Sequence, residues 1–328
     1  MQNIVFTSKG IYCPPGDFYI DPWKPVERAV ITHAHADHAR QGMQKYLCHE
    51  HSLPLLRSRI STGIIAEALP YGKSITINGV SVSLHPAGHV IGSAQVRIEY
   101  KGYTTVISGD YKRQDDRITP VFEVVPCHEF VTESTFGLPV YRWEPPGQMV
   151  HKIRKWVLDN QRENKTSVFI AYSLGKSQRI MKLLDNIAPV YLHSSVIRIN
   201  KAISDVGIAL PDAKPLDLEK DKKNLPGKVV ILPPAFFRSP SLKKIPSAVF
   251  AICSGWMKIR GNRRWQSADA GFAISDHADW DDLLTTVKET GAEKVWVTHG
   301  YTNTFARYLS EKGLDARVAK TEFGENEE

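Results

Sequence analysis

Apolar positions in the first part of the chain come in short bursts between turn residues: 18–20, 29–32, 81–84, 94–100 and 104–107. Short alternating runs of this kind predict β-strands, and Lys101-Gly102 between the last two predicts a tight hairpin. Beyond Pro139 the period lengthens, with Val150, Ile153, Val157 and Leu158 near helical spacing across 148–160. A strand at 167–172, a helix at 177–186 and strands at 190–192, 229–232 and 249–252 continue the alternation of a parallel α/β unit. A last strand, helix and strand follow at 271–274, 280–289 and 294–297. The pattern divides the chain into 1–138, an inserted domain at 139–266, and 267–328, with a polar tail at 324–328 expected to fray.

Composition bounds what such a chain can be. Its 328 residues suffice for two modest cores, and 42% hydrophobic with 23% charged residues is ordinary for a folded globular protein. The absence of a long apolar run or of a signal-like N-terminus leads us to expect a cytoplasmic protein with no membrane span. Cys13, Cys48, Cys127 and Cys253 form no C-x-x-C pair, so we expect reduced core or loop thiols, neither a zinc ribbon nor a disulfide framework. A formal charge of +7 favours polyanionic partners, which gains meaning only where cations crowd a chemical motif.

The strongest local signal is His33-Ala34-His35-Ala36-Asp37-His38, placed directly after a predicted strand. Imidazole and carboxylate suit zinc and related divalent ions, and a short loop can aim alternate side chains at two neighbouring ions. His89 and Asp110 lie among glycines just past strand-like runs, and His299 follows Val295-Trp296-Val297, so all three are further candidate ligands. His49, His51, His85, His128, His151 and His193 lack such company and are read as structural.

The 33–38 motif resembles H-x-H-x-D-H of the metallo-β-lactamase superfamily. That resemblance implies a four-layer αβ/βα sandwich, with His33, His35 and His89 on one metal and Asp37, His38 and His299 on the other. Asp110 would bridge the two together with a hydroxide. It also implies that Asp21 orients the loop, although an Asp-Pro turn with no further role fits the same residues. The cofactors implied are two divalent ions, zinc first and manganese second. Asp37 counts with the catalytic groups.

From Asp110 to His299 the chain advances 189 positions, room for a whole domain. That interval, with Thr132-Glu133-Ser134-Thr135-Phe136-Gly137 before it and Ser275-Asp276-His277-Ala278-Asp279 after it, resembles the β-CASP nucleases, and the likeness spans essentially the whole chain. It implies an inserted β-CASP α/β domain, a His277 general acid and a Glu133 that orients it. Expelling a sugar alkoxide needs a proton that an imidazole supplies, worth about 10²–10⁴ in rate.

For substrate binding the sequence offers two segments. Ser173, Gly175, Lys176, Ser177 and Gln178 join a strand to a helix where a phosphate could rest, although a helix start without ligand fits as well. Ile170 stands where a Walker A loop needs glycine. Trp256, Lys258, Arg260, Arg263, Arg264 and Trp265 interleave cations and aromatics in a way suited to gripping phosphates and stacking a base. Residues 254–257 and 275–280 look most like the bacterial DNA-ligase-associated exonucleases. The resemblance implies a DNA exonuclease in repair and end processing, working by two-metal hydroxide attack, beside an ATP-dependent DNA ligase and a helicase. His299 leaves open an RNA 3′-end-processing or decay nuclease, ribonuclease J-like, and a small-molecule metallohydrolase is the remote alternative.

Overall fold

The computed structural model describes residues 3–259 and 268–322. They form two compact units, one running to Arg142 and resuming at His277, the other spanning Trp143–Asp276.

In the first unit one mixed sheet runs, in spatial order, Val5–Thr7, Gly10–Cys13, Phe18–Ile20, Arg28–Ile31, Lys45–His49 and Ala66–Leu69. A second runs Asp315–Val318, Lys294–Gly300, Glu129–Ser134, Tyr103–Ile107, Ala94–Tyr100, Val80–Pro86 and Ser74–Ile77. Alternation sets the faces. Ile11, Phe18, Ile20, Val30 and Leu47 of the first sheet share one core with Val82, Leu84, Val96, Ile98 and Val131 of the second. Val106, Phe130, Val295 and Val297 turn the other way, onto Trp280, Leu283 and Val287 of helix Trp280–Thr290 and Phe305 and Leu309 of helix Thr302–Glu311. The expected hairpin closes through Lys101 and Gly102, at φ +50° and +78°, the left-handed pair that a two-residue type I′ turn needs.

The second unit carries one sheet in the order Lys214–Pro215, Val190–Leu192, Val229–Leu232, Thr166–Ile170, Ala248–Cys253 and Ala270–Phe272, parallel throughout. Every residue of Thr166–Ile170 and Val229–Leu232 is buried. Parallel strands covered on both faces read as continuous apolar runs. Phe169, Val229 and Ile231 meet Ile153, Val157 and Ile180 on one face, while Val168, Val230 and Leu232 meet Leu225 and Ile245 on the other. Helix Pro146–Arg162 starts on proline, whose missing N–H is no loss in a first turn.

The strand near 271 differs from the sequence expectation in its allegiance. Ala270–Phe272 pairs with Ala251–Cys253 in the second unit's sheet, because that pairing buries Phe272 against Phe169 and Trp156. The units therefore exchange at Arg142/Trp143 and Asp276/His277, not at 138/139 and 266/267. Among the described residues no helix is long and apolar enough to cross a membrane.

Candidate metal centre

Six of the seven candidate ligands sit just beyond a strand of the first unit, and His299 lies near the end of strand Lys294–Gly300 itself. After Arg28–Ile31 the backbone carries His33 and His35, then coils into one helical turn closed by the Ala39 N–H on the His35 carbonyl at 2.9 Å. That turn carries Asp37 and His38, and the His38 ring centroid lies 4.1 Å from that of His33. In the loop after Val80–Pro86, Ser93 Oγ accepts the N–H groups of His89 (3.1 Å) and Val90 (3.2 Å). Gly88, at φ +74°, lies where a Cβ would stand 2.2 Å from the Lys112 carbonyl oxygen. His299 is left-handed at φ +53°, a conformation costing a side-chain-bearing residue roughly 1–2 kcal/mol. It is held by Ser134 Oγ donating to its carbonyl at 2.5 Å and by a contact between Thr298 Oγ1 and its Nδ1.

The expected ligand atoms converge in two groups, His33, His35, His89 and Asp110, and Asp37, His38 and His299, while Asp110, Glu133 and His277 form a third cluster. In the first, His35 Nδ1 lies 3.2 Å from His33 Nε2 and 3.0 Å from His89 Nε2, and Asp110 Oδ2 lies 3.5 and 3.7 Å from those two Nε2 atoms. Tetrahedral ligands at about 2.0–2.1 Å from zinc stand about 3.4 Å apart, so these spacings fit an ion at their centre. In the second, His38 Nε2 is 3.6 Å from Asp37 Oδ2 and 3.4 Å from Asp110 Oδ1. One oxygen of Asp110 thus faces each group.

Two buried atoms there, His38 Nε2 and Asp110 Oδ1, make no hydrogen bond. Unpaired, each costs about 1–3 kcal/mol, and a divalent cation between them removes that penalty. Asp21, left-handed at φ +41°, fixes His38: its carboxylate accepts from Thr32 N (2.8 Å) and Thr32 Oγ1 (2.5 Å), and takes His38 Nδ1 at 2.7 Å. That bond holds a proton on Nδ1 and aims Nε2 at the centre. Burial would depress His38, but Asp110, Asp37 and Asp21 around it hold its pKa well above the usual histidine range. Burial and the neighbouring imidazole of His38 push His33 well below that range. For Asp110, burial is outweighed by His38 and His277, which keep its carboxyl well below the ordinary value.

Glu133, at the end of strand Glu129–Ser134 and only 2% exposed, takes His277 Nδ1 at 2.9 and 3.1 Å through its two oxygens. The Tyr111 N–H donates to Glu133 Oε1 at 2.7 Å, and the Tyr111 carbonyl accepts from Ala278 N at 2.6 Å. The residue after Asp110 therefore registers both members of the pair against the candidate ligands, a role invisible in the sequence. Burial pushes the Glu133 carboxyl up, and the His277 imidazole offsets this only in part. The His277 ring centroid lies 4.7 Å from that of His89. The remaining histidines bind elsewhere: His49 stacks on Tyr71 at 3.5 Å, His85 pairs with Glu123, His128 accepts from Thr104 N, and His193 caps helix Ser194–Ser204.

The expected phosphate cradle is committed to the chain itself. Gln178 accepts the Gly175 N–H at 2.7 Å and donates to Ser173 O and Asn200, while Ser177 Oγ bonds Tyr172 O and Ser173 Oγ bonds Ser195 Oγ. Lys176 lies buried 3.2 Å from the buried Asp276 carboxylate, with Arg179 donating to Ser275 O beside it. An internal carboxylate thus takes the place expected for a phosphate. Trp256 is half-buried against the core of Val168 and Leu232, and Lys258 lines a groove of about 650 Å³ with Trp156 and Lys152. Arg260, Arg263, Arg264, Trp265 and the 324–328 tail lie outside the described residues.

Fold and site together define an α/β protein with a candidate dinuclear metal centre and a carboxylate-held histidine beside it. No family model matches the chain. It is similar to a probable DNA ligase of Opitutus terrae, 33% identical over 317 residues, covering 94% of the chain and 30% of that protein. It is homologous to the endoribonuclease ysh1 of Schizosaccharomyces pombe, 29% identical over 175 residues, covering 49% of the chain and 22% of that protein. The YSH1 endoribonuclease of Saccharomyces cerevisiae is 31% identical over 121 residues, 36% of the chain and 15% of its own length. The chain thus spans less than a third of each of these relatives. Among solved structures, a protein of unknown function from Enterococcus faecalis V583 shares the fold, with a TM-score of 0.54 and 12% identity over 82% of this chain and 74% of that one.

Proposed function

We propose that this chain is a metal-dependent nuclease of the β-CASP type, with a metallo-β-lactamase four-layer sandwich interrupted by a β-CASP domain. The observation that carries the reading is the joint convergence of seven ligand side chains and of the Glu133–His277 pair in one unit. His33, His35 and His89 would hold one divalent ion and Asp37, His38 and His299 the other, with Asp110 between them. Such ions supply Lewis acidity toward a phosphate and lower the pKa of water. His277 keeps Nδ1 on Glu133 and presents Nε2 to donate a proton to the departing sugar oxygen. Zinc is favoured by the imidazole-rich donor set, with manganese second.

The substrate we assign is DNA, cut from an end during repair, in association with an ATP-dependent DNA ligase and a helicase in the cytoplasm. Support comes from likeness along 94% of the chain to a segment of a probable DNA ligase. RNA is the second reading, favoured by the endoribonuclease relatives and by the retained His299. Purified protein should degrade end-labelled DNA with zinc or manganese and stop on chelation. Preference for RNA installs the second reading, and thioester turnover without nuclease activity removes both.

A further inference from the structure

A short helix that the sequence did not announce, Ser52–Arg59, touches two of the three loops that carry the first group of ligands. At its start Ser52 Oγ donates to the Gly92 carbonyl at 2.7 Å, in the loop of His89. Contact there is so close that a Cβ on Gly92, at φ +77°, would lie 2.5 Å from Ser52 Oγ. At its end Arg59 donates to the His35 carbonyl at 3.3 Å and to that of Ala39. Those two carbonyls stand two residues either side of Asp37, on the turn that presents Asp37 and His38. Fully buried Leu55 and Leu56 pin the helix between its ends. Eight helical residues make a rod of about 12 Å, and the side chains it steadies, His35 and His89, bring their ring nitrogens to 3.0 Å.

We infer that Arg59, acting through the Ser52–Arg59 helix, is a positioning residue that presets the spacing of the first ion's ligands; this rests on the metal reading above. Any cation at a helix C-terminus is favoured by the helix dipole, so a plain cap would be served by lysine. Arg59 goes beyond such a cap: one terminal nitrogen, carried at the end of a rigid guanidinium plane, meets both carbonyls. Its Nε is buried without a hydrogen-bond partner, a penalty that a surface cap avoids.

The test uses the full chain as wild type, Arg59→Lys, Arg59→Met and Ser52→Ala. Each is titrated with Co²⁺ while the visible absorption is followed, and with Zn²⁺ against a chromophoric chelator; thermal unfolding of the metal-free proteins is measured beside them. Loss of groups that orient metal ligands typically weakens metal binding about 10–100-fold. Arg59→Met is expected to weaken one of two ions by that factor and alter the cobalt spectrum, with little change in metal-free melting. Arg59→Lys should recover part of the affinity, and Ser52→Ala, acting from the His89 end without touching charge, should weaken the same ion several-fold. Wild-type affinity and spectrum in Arg59→Met, or full rescue by lysine with affinity merely tracking fold stability, overturns the inference. Absence of metal uptake by the wild type removes the metal reading itself, and the inference with it.

Discussion

Replacing Glu133 by glutamine isolates the electrostatic part of the His277 arrangement. Glutamine is isosteric, so its carbonyl oxygen can still take the Tyr111 N–H at 2.7 Å. Its NH₂ group would then face His277 Nδ1, where the carboxylate now accepts at 2.9 Å. That reverses the proton preference, driving hydrogen onto Nε2 in the neutral ring and leaving the imidazolium without its counter-charge. A charge-assisted hydrogen bond in a buried place is worth about 1.5–3 kcal/mol, which at 1.36 kcal/mol per decade is roughly ten- to a hundred-fold in rate. Deleting the ring in His277→Ala removes the whole proton-transfer contribution, about 10²–10⁴-fold. Residues acting as one unit are not additive, so the double variant should be no slower than His277→Ala alone. The assay is single-turnover cleavage of an end-labelled oligonucleotide at saturating metal, with bound metal counted in every variant. Full activity in Glu133→Gln, or multiplied effects in the double variant, would show that the two side chains do not work as a donor and its orienter.

Three further outcomes follow from packing and burial. Gly300→Ala puts a left-handed residue, φ +73°, with its Cβ 2.4 Å from Thr135 Cα; it should lower the melting temperature and weaken metal at His299, whereas Gly291→Ala, with open space around it, should cost only about 1 kcal/mol. Equal effects of the two in calorimetry would contradict the crowding argument. Asp276→Asn leaves Lys176 and Arg179 buried without their carboxylate and should destabilise by about 3–5 kcal/mol in denaturant unfolding; a loss below about 1 kcal/mol would mean that the cluster contributes nothing net. Burial pushes the thiols of Cys13 to about 11 and of Cys48 and Cys127 to about 12, so above pH 9 the unfolded chain ionises while the folded one stays protonated. Stability should therefore be intact below pH 9 and fall above it by about 1.4 kcal/mol per pH unit per thiol, and native-state alkylation should stay slow to pH 9. Rapid labelling at pH 8 would refute it.

Much of the fold was legible because local period and final burial agree. The strands at Phe18–Ile20, Arg28–Ile31, Ala94–Tyr100 and Tyr103–Ile107 and helix Trp280–Thr290 follow patterns whose apolar positions are mostly the ones buried, while in helix Pro146–Arg162 Ile153 and Val157 are buried and Leu158 is exposed. Strand Ala66–Leu69 and helix Ser52–Arg59 were not legible: the first exposes most of its length at a sheet edge, and the second contains a proline and buries only Ser52, Leu55 and Leu56. The ligand types could be listed from the sequence, since few backbones need three imidazoles and a carboxylate within six residues. What the sequence could not contain was the partner of each side chain. That Lys176 turns inward to Asp276, that Tyr111 bridges Glu133 and Ala278 through its backbone, and that Arg59 reaches the His35 turn are contacts between segments far apart in the chain. A hydrogen bond or ion pair depends on distances of a few tenths of an ångström, which packing within each unit alone decides, whereas hydrophobic period survives in the order of residues.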